Sequence, residues 1–407
     1  MDTLDNASTL TASASRGGAS QIIGFVSFTF VCYLAIGLPL AILPEYVHLR
    51  MGFSATLAGL VISIQYIATL LSRPWAGRIS DHKGAKLSVQ WGMSALTVSG
   101  LLLVGAAALH RNPVWLSLTA LFASRLVMGL AESLGSTGAI IWGINSAGQQ
   151  HTAKVIAYNG VATYGALALG APLGVVMVHQ LGLASIGVVT VLLGAASLLL
   201  ASGKAPAPLV HGEHLPFRDV LGRVTPHGMV LALGGVGYSV LATFVTLFYA
   251  SRQWNGAALC LTAFGIAFMV VRITLIGTIG RYGGFAVGIS SLIVESMGVL
   301  VLWRAGSPWV ALAGAALTGV GFSLVFPALG VEAVRHVPER SRGTALSVYT
   351  VFADVSFFLV GPVAGAMIGL FGYASVFLFA LVCVLTALGI VAVLAQREKA
   401  LAGRSDG

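Results

Sequence analysis

The chain has 407 residues, of which 57% are hydrophobic and only 9% charged, with a mean hydropathy of +0.93. A soluble domain carries about 25% charged residues, so a large water-soluble helical protein is excluded by charge alone. The net charge of +9 does not point to nucleic acid, because the cations lie in short segments between apolar runs and not along one face.

The segment 1–21 is rich in Ser, Thr, Ala and Gly, has one cation (Arg16), and reads as a disordered tail. It lacks the charged, apolar and small-residue succession of a cleavable signal peptide. A membrane crossing needs about 20 apolar residues. Runs of that length predict spans near 22–47, 54–79, 87–109, 114–146, 154–180 and 184–202, then 226–250, 259–279, 284–304, 308–334, 343–369 and 372–396. Irregular backbone cannot face lipid, so all twelve are expected to be helices. The fold class is therefore an all-α membrane protein of twelve transmembrane helices. The segments 22–202 and 226–396 form two six-helix bundles, followed by a tail over 397–407.

The join, 203–225, holds Pro206, Pro208 and Pro216. Within it Phe217, Val220, Leu221 and Val224 recur at helical spacing around Arg218, Asp219 and Arg223, which predicts a short amphipathic helix on the membrane surface. An unstructured linker is the other reading. With both termini on one side, Arg50, Arg111, Arg252 and Arg304 fall outside and Arg73, Arg125 and Arg272 fall within spans. The other fifteen of the 22 Lys and Arg then lie on the terminal side. The positive-inside rule makes that side cytoplasmic and predicts a multi-pass protein with cytoplasmic termini.

The turn after the second span, Arg73-Pro-Trp-Ala-Gly77-Arg78-Ile-Ser-Asp81-His-Lys83-Gly84-Ala-Lys86, packs glycines, cations and one acid together. Gly84 can take the positive φ of a tight reversal, and Gly77 is expected to let a neighbouring helix come close. Asp81 is the lone carboxylate among these cations, which favours a specific contact over a solvating role.

The second half repeats the first. Gly277-Thr-Ile-Gly-Arg281-Tyr-Gly-Gly284 follows the eighth span, and Tyr349…Gly361-Pro362-Val-Ala-Gly365 echoes Tyr158…Gly170-Ala-Pro172-Leu-Gly174. Two halves with matching features are the mark of a transporter whose site lies between its repeats.

In the fourth span Arg125, Gly129, Glu132 and Ser136 share one helical face. An arginine at mid-membrane costs about 2.5–3.5 kcal/mol unless it meets a cavity or partner, so Arg125 and Glu132 read either as a coupling pair or as an ion pair fixing helix packing. Asp354 shares a face with Ser347, Thr350 and Gly361 in the eleventh span. A carboxyl group removed from water favours its protonated form and can exchange a proton near neutral pH. Asp354 is thus a coupling or substrate-contact candidate, or a polar tie to a neighbouring helix. Gln65, Thr69 and Arg73 make a stripe on the second span. With Asn159, Thr163, Tyr33, Tyr66, Tyr238, Phe244 and Arg272 they are candidate cavity groups. Glu45 and Glu332 read as interfacial. The three cysteines and the histidines show no metal or nucleophile spacing, which leaves a polytopic enzyme as a distant alternative; neither a cofactor nor a metal site is indicated.

The loop resembles the signature G-x-L-A-D-R-x-G-R-K of the major facilitator superfamily, with Gly77, Asp81, Gly84 and Lys86 on its fixed positions. The resemblance implies a gating role for that loop and a link between Arg125-x-x-x-Gly129 and proton coupling. It also implies a place outside the cavity for the ninth span, so that Glu295 becomes a packing or interhelical hydrogen-bonding group. The segment with Gly170, Pro172 and Gly174 resembles the antiporter motif G-x-x-x-x-x-x-x-x-G-x-x-G-P, with Ala168 and Ala171 replacing two glycines; Gly361, Pro362 and Gly365 are its counterparts. Gly37-Leu-Pro39, Met51-Gly-Phe-Ser54 and Gly321-Phe-Ser-Leu-Val-Phe-Pro327 resemble the uncharacterised bacterial YhhS-type branch. The resemblance implies a monomeric secondary transporter of the bacterial inner membrane moving a small-molecule substrate with protons as partner. Efflux is the preferred direction, and uptake is the alternative.

Overall fold

The computed structural model describes residues 22–109, 114–148, 151–208, 217–335, 337 and 342–405. Twelve long helices follow one another: α1 Ile22–Arg50, α2 Ala55–Ile79, α3 Ala85–Ala108, α4 Val114–Ala147, α5 Thr152–Leu181 and α6 Ala184–Gly203. The second set is α7 Phe217–Ser251, α8 Ala258–Leu275, α9 Gly284–Trp303, α10 Pro308–Arg335, α11 Arg342–Phe371 and α12 Ser375–Ser405. Each holds a stretch long and apolar enough to cross a membrane once α2 and α3 are separated at their connecting turn. Below, the end carrying the α2–α3 turn is called the inner face.

Helix boundaries follow local chemistry. Ser54 accepts a hydrogen bond from the Leu57 N–H at 3.2 Å and starts α2. The α2–α3 connection is one wide helical turn, Ser80–Gly84, and Gly84 closes it at φ 97°, a conformation that glycine alone adopts without strain. Pro226 does not begin α7. The helix runs continuously from Phe217, so the expected separate surface helix is the first turns of α7, and the expected start at 226 is corrected. A proline inside a membrane helix is tolerated where neighbouring groups satisfy the freed carbonyl. The eighth span likewise ends at Leu275, and a separate short helix, Thr278–Tyr282, follows it.

Packing repeats with a period of six helices. α3 packs on α4 and α6, and α2 on α4; in the second half α9 packs on α10 and α12, and α8 on α10. The halves meet through α2 against α11 and α5 against α8. With lipid on the outside there is little hydrophobic drive between helices, so close approach depends on small residues. At the α2–α11 contact, a Cβ on Gly59 would collide with the backbone of Gly361 and lie 2.8 Å from the Phe244 ring. Phe244 therefore packs at this crossing. On α1 and α5, a Cβ on Gly170 would come within 2.9 Å of the Gly37 backbone. Gly174 faces Leu38, and Gly365 faces Thr56 of α2 in the same manner. Pro172 and Pro362 lie within the helices that carry these glycines.

The large core clusters inside the bundle, whereas Leu71, Leu199, Trp309 and Leu370 are among the apolar side chains left facing outward. That inverts a soluble protein's surface and is what a lipid solvent demands.

Candidate functional site

Three helices bring one polar network together in the interior. Tyr33 of α1 donates its hydroxyl to Glu132 Oε1 at 3.0 Å. From α2, Thr69 and Gln65 donate to Glu132 Oε2 at 3.2 and 3.5 Å. Arg125 donates through Nη1 to Gln65 Oε1 at 3.4 Å. Arg125 and Glu132 thus do not pair directly despite sharing a face of α4; Gln65 bridges them. The close seating of α2 on α4 that makes this possible rests on Gly129, where a Cβ would lie 2.8 Å from Ala68 and collide with the Gln65 carbonyl. Glu132 and Arg125 are both essentially buried. A carboxylate taken from water needs such donors, and here three converge on it.

Across the interface between halves, Arg73 of α2 forms a two-pronged ion pair with Asp354 of α11. Nε meets Oδ2, and Nη2 donates to Oδ1 at 3.0 Å. Their side chains are 14% and 4% exposed, so water screens the pair weakly. The parallel two-donor geometry is the strong form of this contact. Glu132 lies within electrostatic range of both partners, so network and bridge share one region.

An aromatic wall drawn from both halves completes the region. Tyr238 of α7 stacks on Phe322 of α10 at 6.2 Å between centroids and meets Phe357 of α11 edge-on at 5.8 Å. Phe357 in turn meets Tyr66 of α2 at 5.1 Å. From α5, Tyr164 stacks on Phe268 of α8 at 3.7 Å. Nothing in the sequence marks Tyr164, Phe264, Phe268, Phe322 and Phe357 as site residues, because an aromatic residue in an apolar helix looks the same whether it packs or lines a site. Arg272 lies over the Phe268 ring at 4.8 Å. Asn159 of α5 has a buried Oδ1 with no hydrogen-bond partner among the described residues.

The loop residues part company. Asp81 is exposed on the inner face and makes no hydrogen bond or ion pair to a described residue; the side chains that open α11 lie outside the described ones. Gly77 does not serve as a close-approach site, since a Cβ there would meet nothing within 4 Å among the described residues. Lys86 turns away from the loop and donates to the carbonyls of Ser202 and Lys204 at 2.8 and 2.7 Å, neutralising the C-terminal end of α6. Glu332, read as interfacial, is buried and accepts the Gly284 N–H at 2.9 Å, capping α9. Glu295 is wholly buried beside Gly237 and Gly321, with neither carboxyl oxygen hydrogen-bonded among the described residues. Of the two expected roles, packing and an interhelical hydrogen bond, the hydrogen bond is not formed among the described residues, and the side chain packs against Gly237 and Gly321.

The sequence profile of the Major Facilitator Superfamily matches residues 25–359. The chain belongs to that superfamily. It is 55% identical over 387 residues to an uncharacterized MFS-type transporter of Pseudomonas aeruginosa (strain UCBPP-PA14), covering 95% of this chain and 96% of that one. A second such transporter, from Burkholderia pseudomallei (strain 1106a), is 53% identical over 383 residues and 94% of each chain. Among solved structures, a D-xylose–proton symporter superposes with a TM-score of 0.73 over 91% of this chain and 97% of that one, at 16% identity. At that identity the likeness is one of fold. The protein is a facilitator-superfamily secondary transporter of small solutes, with two six-helix halves and no enzymatic role.

Proposed function

We propose that the protein exports a small organic solute in exchange for protons, with Glu132 and Asp354 as the proton-carrying groups. The observation that carries this reading is the Arg73–Asp354 pair, because it joins the halves through a charge that a proton can cancel. With Asp354 ionised, the bridge holds α2 against α11. A proton on Asp354 removes the attraction and frees Arg73, so the halves can separate. Glu132, held by Tyr33, Gln65 and Thr69, is the second such group, and it draws α1, α2 and α4 around one carboxyl. A proton arriving at either site therefore alters contacts between helices, as coupling requires.

Export is favoured by the α5 segment that resembles the antiporter motif, whose glycines seat α5 against α1. The Asp81 loop supplies the inner-face lock when that side closes onto the start of α11. The test is accumulation of dyes, salicylate and arabinose in everted membrane vesicles under an imposed pH gradient. Wild-type vesicles accumulate at least one of them, and Glu132→Gln and Asp354→Asn vesicles with equal protein content accumulate none. Full gradient-driven accumulation in both variants would place the proton elsewhere.

A further inference from the structure

Among the described residues, three guanidinium groups lie inside the membrane-spanning region, and only Arg73 has a carboxylate partner there. Arg125 has the Gln65 amide oxygen, and its Nε and Nη2 lack partners among the described residues. Arg272 is 7% exposed, its Nε has no partner, and it belongs to none of the ion pairs formed among the described residues. Among the described residues, its charge rests on the face of Phe268. A cation retained only for packing would be paired, as Arg73 is, because an uncompensated buried charge is strongly destabilising. A ring face offsets part of that cost and leaves the fork of donors open.

The surroundings are specific. Gly160 of α5 lies close to this guanidinium, where an added Cβ would sit in ordinary contact 3.7 Å from Nη1, so α5 presents no side chain at that point. Asn159 is its chain neighbour; its Oδ1 has no hydrogen bond among the described residues, so no such bond stops the amide turning its N–H2 toward an anion. Next along these helices comes the aromatic wall of Tyr164, Phe268 and Phe264. A fork of N–H donors beside flat apolar faces matches a planar apolar body carrying a carboxylate.

We infer that Arg272, with Asn159 and the Tyr164–Phe268 wall, forms the substrate's anion-binding subsite, and that the transported class is small aromatic carboxylates. This rests on the transport reading above and adds the chemistry of the cargo. The carboxylate pairs with the Arg272 fork, Asn159 donates its amide N–H, and the ring lies on Phe268 and Tyr164. Since Arg272 is on α8 and Asn159 on α5, the bound anion bridges the two halves. It supplies across α5 and α8 the link that Asp354 supplies across α2 and α11.

The experiment is thermal unfolding of the purified protein in detergent, titrated with benzoate, salicylate and 2-naphthoate. The corresponding amides, and benzylamine, are titrated in parallel. Carboxylates are expected to raise the melting temperature saturably and the amides and amine not to. Arg272→Gln is expected to weaken carboxylate binding at least tenfold, and Arg272→Lys and Asn159→Ala several-fold. Should Arg272→Gln not yield monodisperse protein, the latter two variants decide. Equal stabilisation by amides or amine, no stabilisation by any carboxylate, or carboxylate affinity unchanged within twofold in the variants would overturn the assignment. No pH gradient enters this assay, so its failure leaves the roles of Glu132 and Asp354 standing. Intact carboxylate binding with no gradient-driven flux would be the reverse case.

Discussion

Replacing Asp354 by Asn should change which arrangement of the two halves the protein prefers. The Arg73–Asp354 bridge is the one ion pair among the described residues that crosses between the halves. Removing one partner of a buried pair costs about 3–5 kcal/mol, because the remaining charge stays desolvated. Arg73 keeps 14% of its side chain exposed, which places the cost at the lower end, near ~3 kcal/mol. At about 1.4 kcal/mol per factor of ten, the bridged arrangement loses roughly a hundredfold in population relative to any arrangement in which the pair is already apart. Spin labels on a cysteine-free background can read this. Arg78 and Arg281 are exposed on the inner face, and Leu49 and Gln253 are exposed at the opposite end. Asp354→Asn and Arg73→Gln should each shift the distance distributions of both label pairs in the same direction. The double variant Arg73→Asp/Asp354→Arg should recover much of the wild-type distribution, as coupling between contacting residues requires. Distributions in Asp354→Asn that match wild type within twofold in population would refute the argument.

Asp81→Asn should slow turnover and favour the inward-open arrangement while leaving solute affinity unchanged, since a carboxylate at a helix N-terminus is worth about 0.3–1 kcal/mol and up to ~2 when partly buried. Unchanged cysteine labelling on both faces would leave Asp81 with a role in the turn only. Gly77→Ala should raise the melting temperature, by up to about 1 kcal/mol of helix propensity, because nothing described approaches that position. Gly59→Val should instead lower it by about 1–3 kcal/mol, the usual cost of overpacking, and abolish flux by forcing α2 from α11. Glu295→Gln should leave flux intact and the melting temperature equal or higher, since that buried carboxyl has no hydrogen bond among the described residues to lose. Loss of flux there would add a third proton site.

What the sequence could reveal depended on whether the signal was local. Span lengths and the glycine of the α2–α3 reversal are local, and Gly84 has the positive φ its position demands. The residues of the polar network were legible as intramembrane polar groups, because each stands out against an apolar helix. Their partners were not. Periodicity placed Arg125 and Glu132 on one face, but the bridge through Gln65 depends on how closely α2 approaches α4, which no single helix encodes. Arg73 could not be assigned to Asp354, 281 residues away, from either segment alone. The same holds for Lys86, whose fixed place in the loop signature gives no hint that it reaches the end of α6. Aromatic side chains were the least legible, since packing and site-lining use the same residues in the same helices.

Proton movement during transport tests the central claim most directly. Proteoliposomes containing a trapped pH-sensitive dye would be given a gradient of a transported solute with no initial pH difference. Wild-type protein should change the internal pH as the solute moves, with protons travelling opposite to it, and Asp354→Asn should give no pH change. Solute movement by the wild-type protein at constant internal pH would contradict the account.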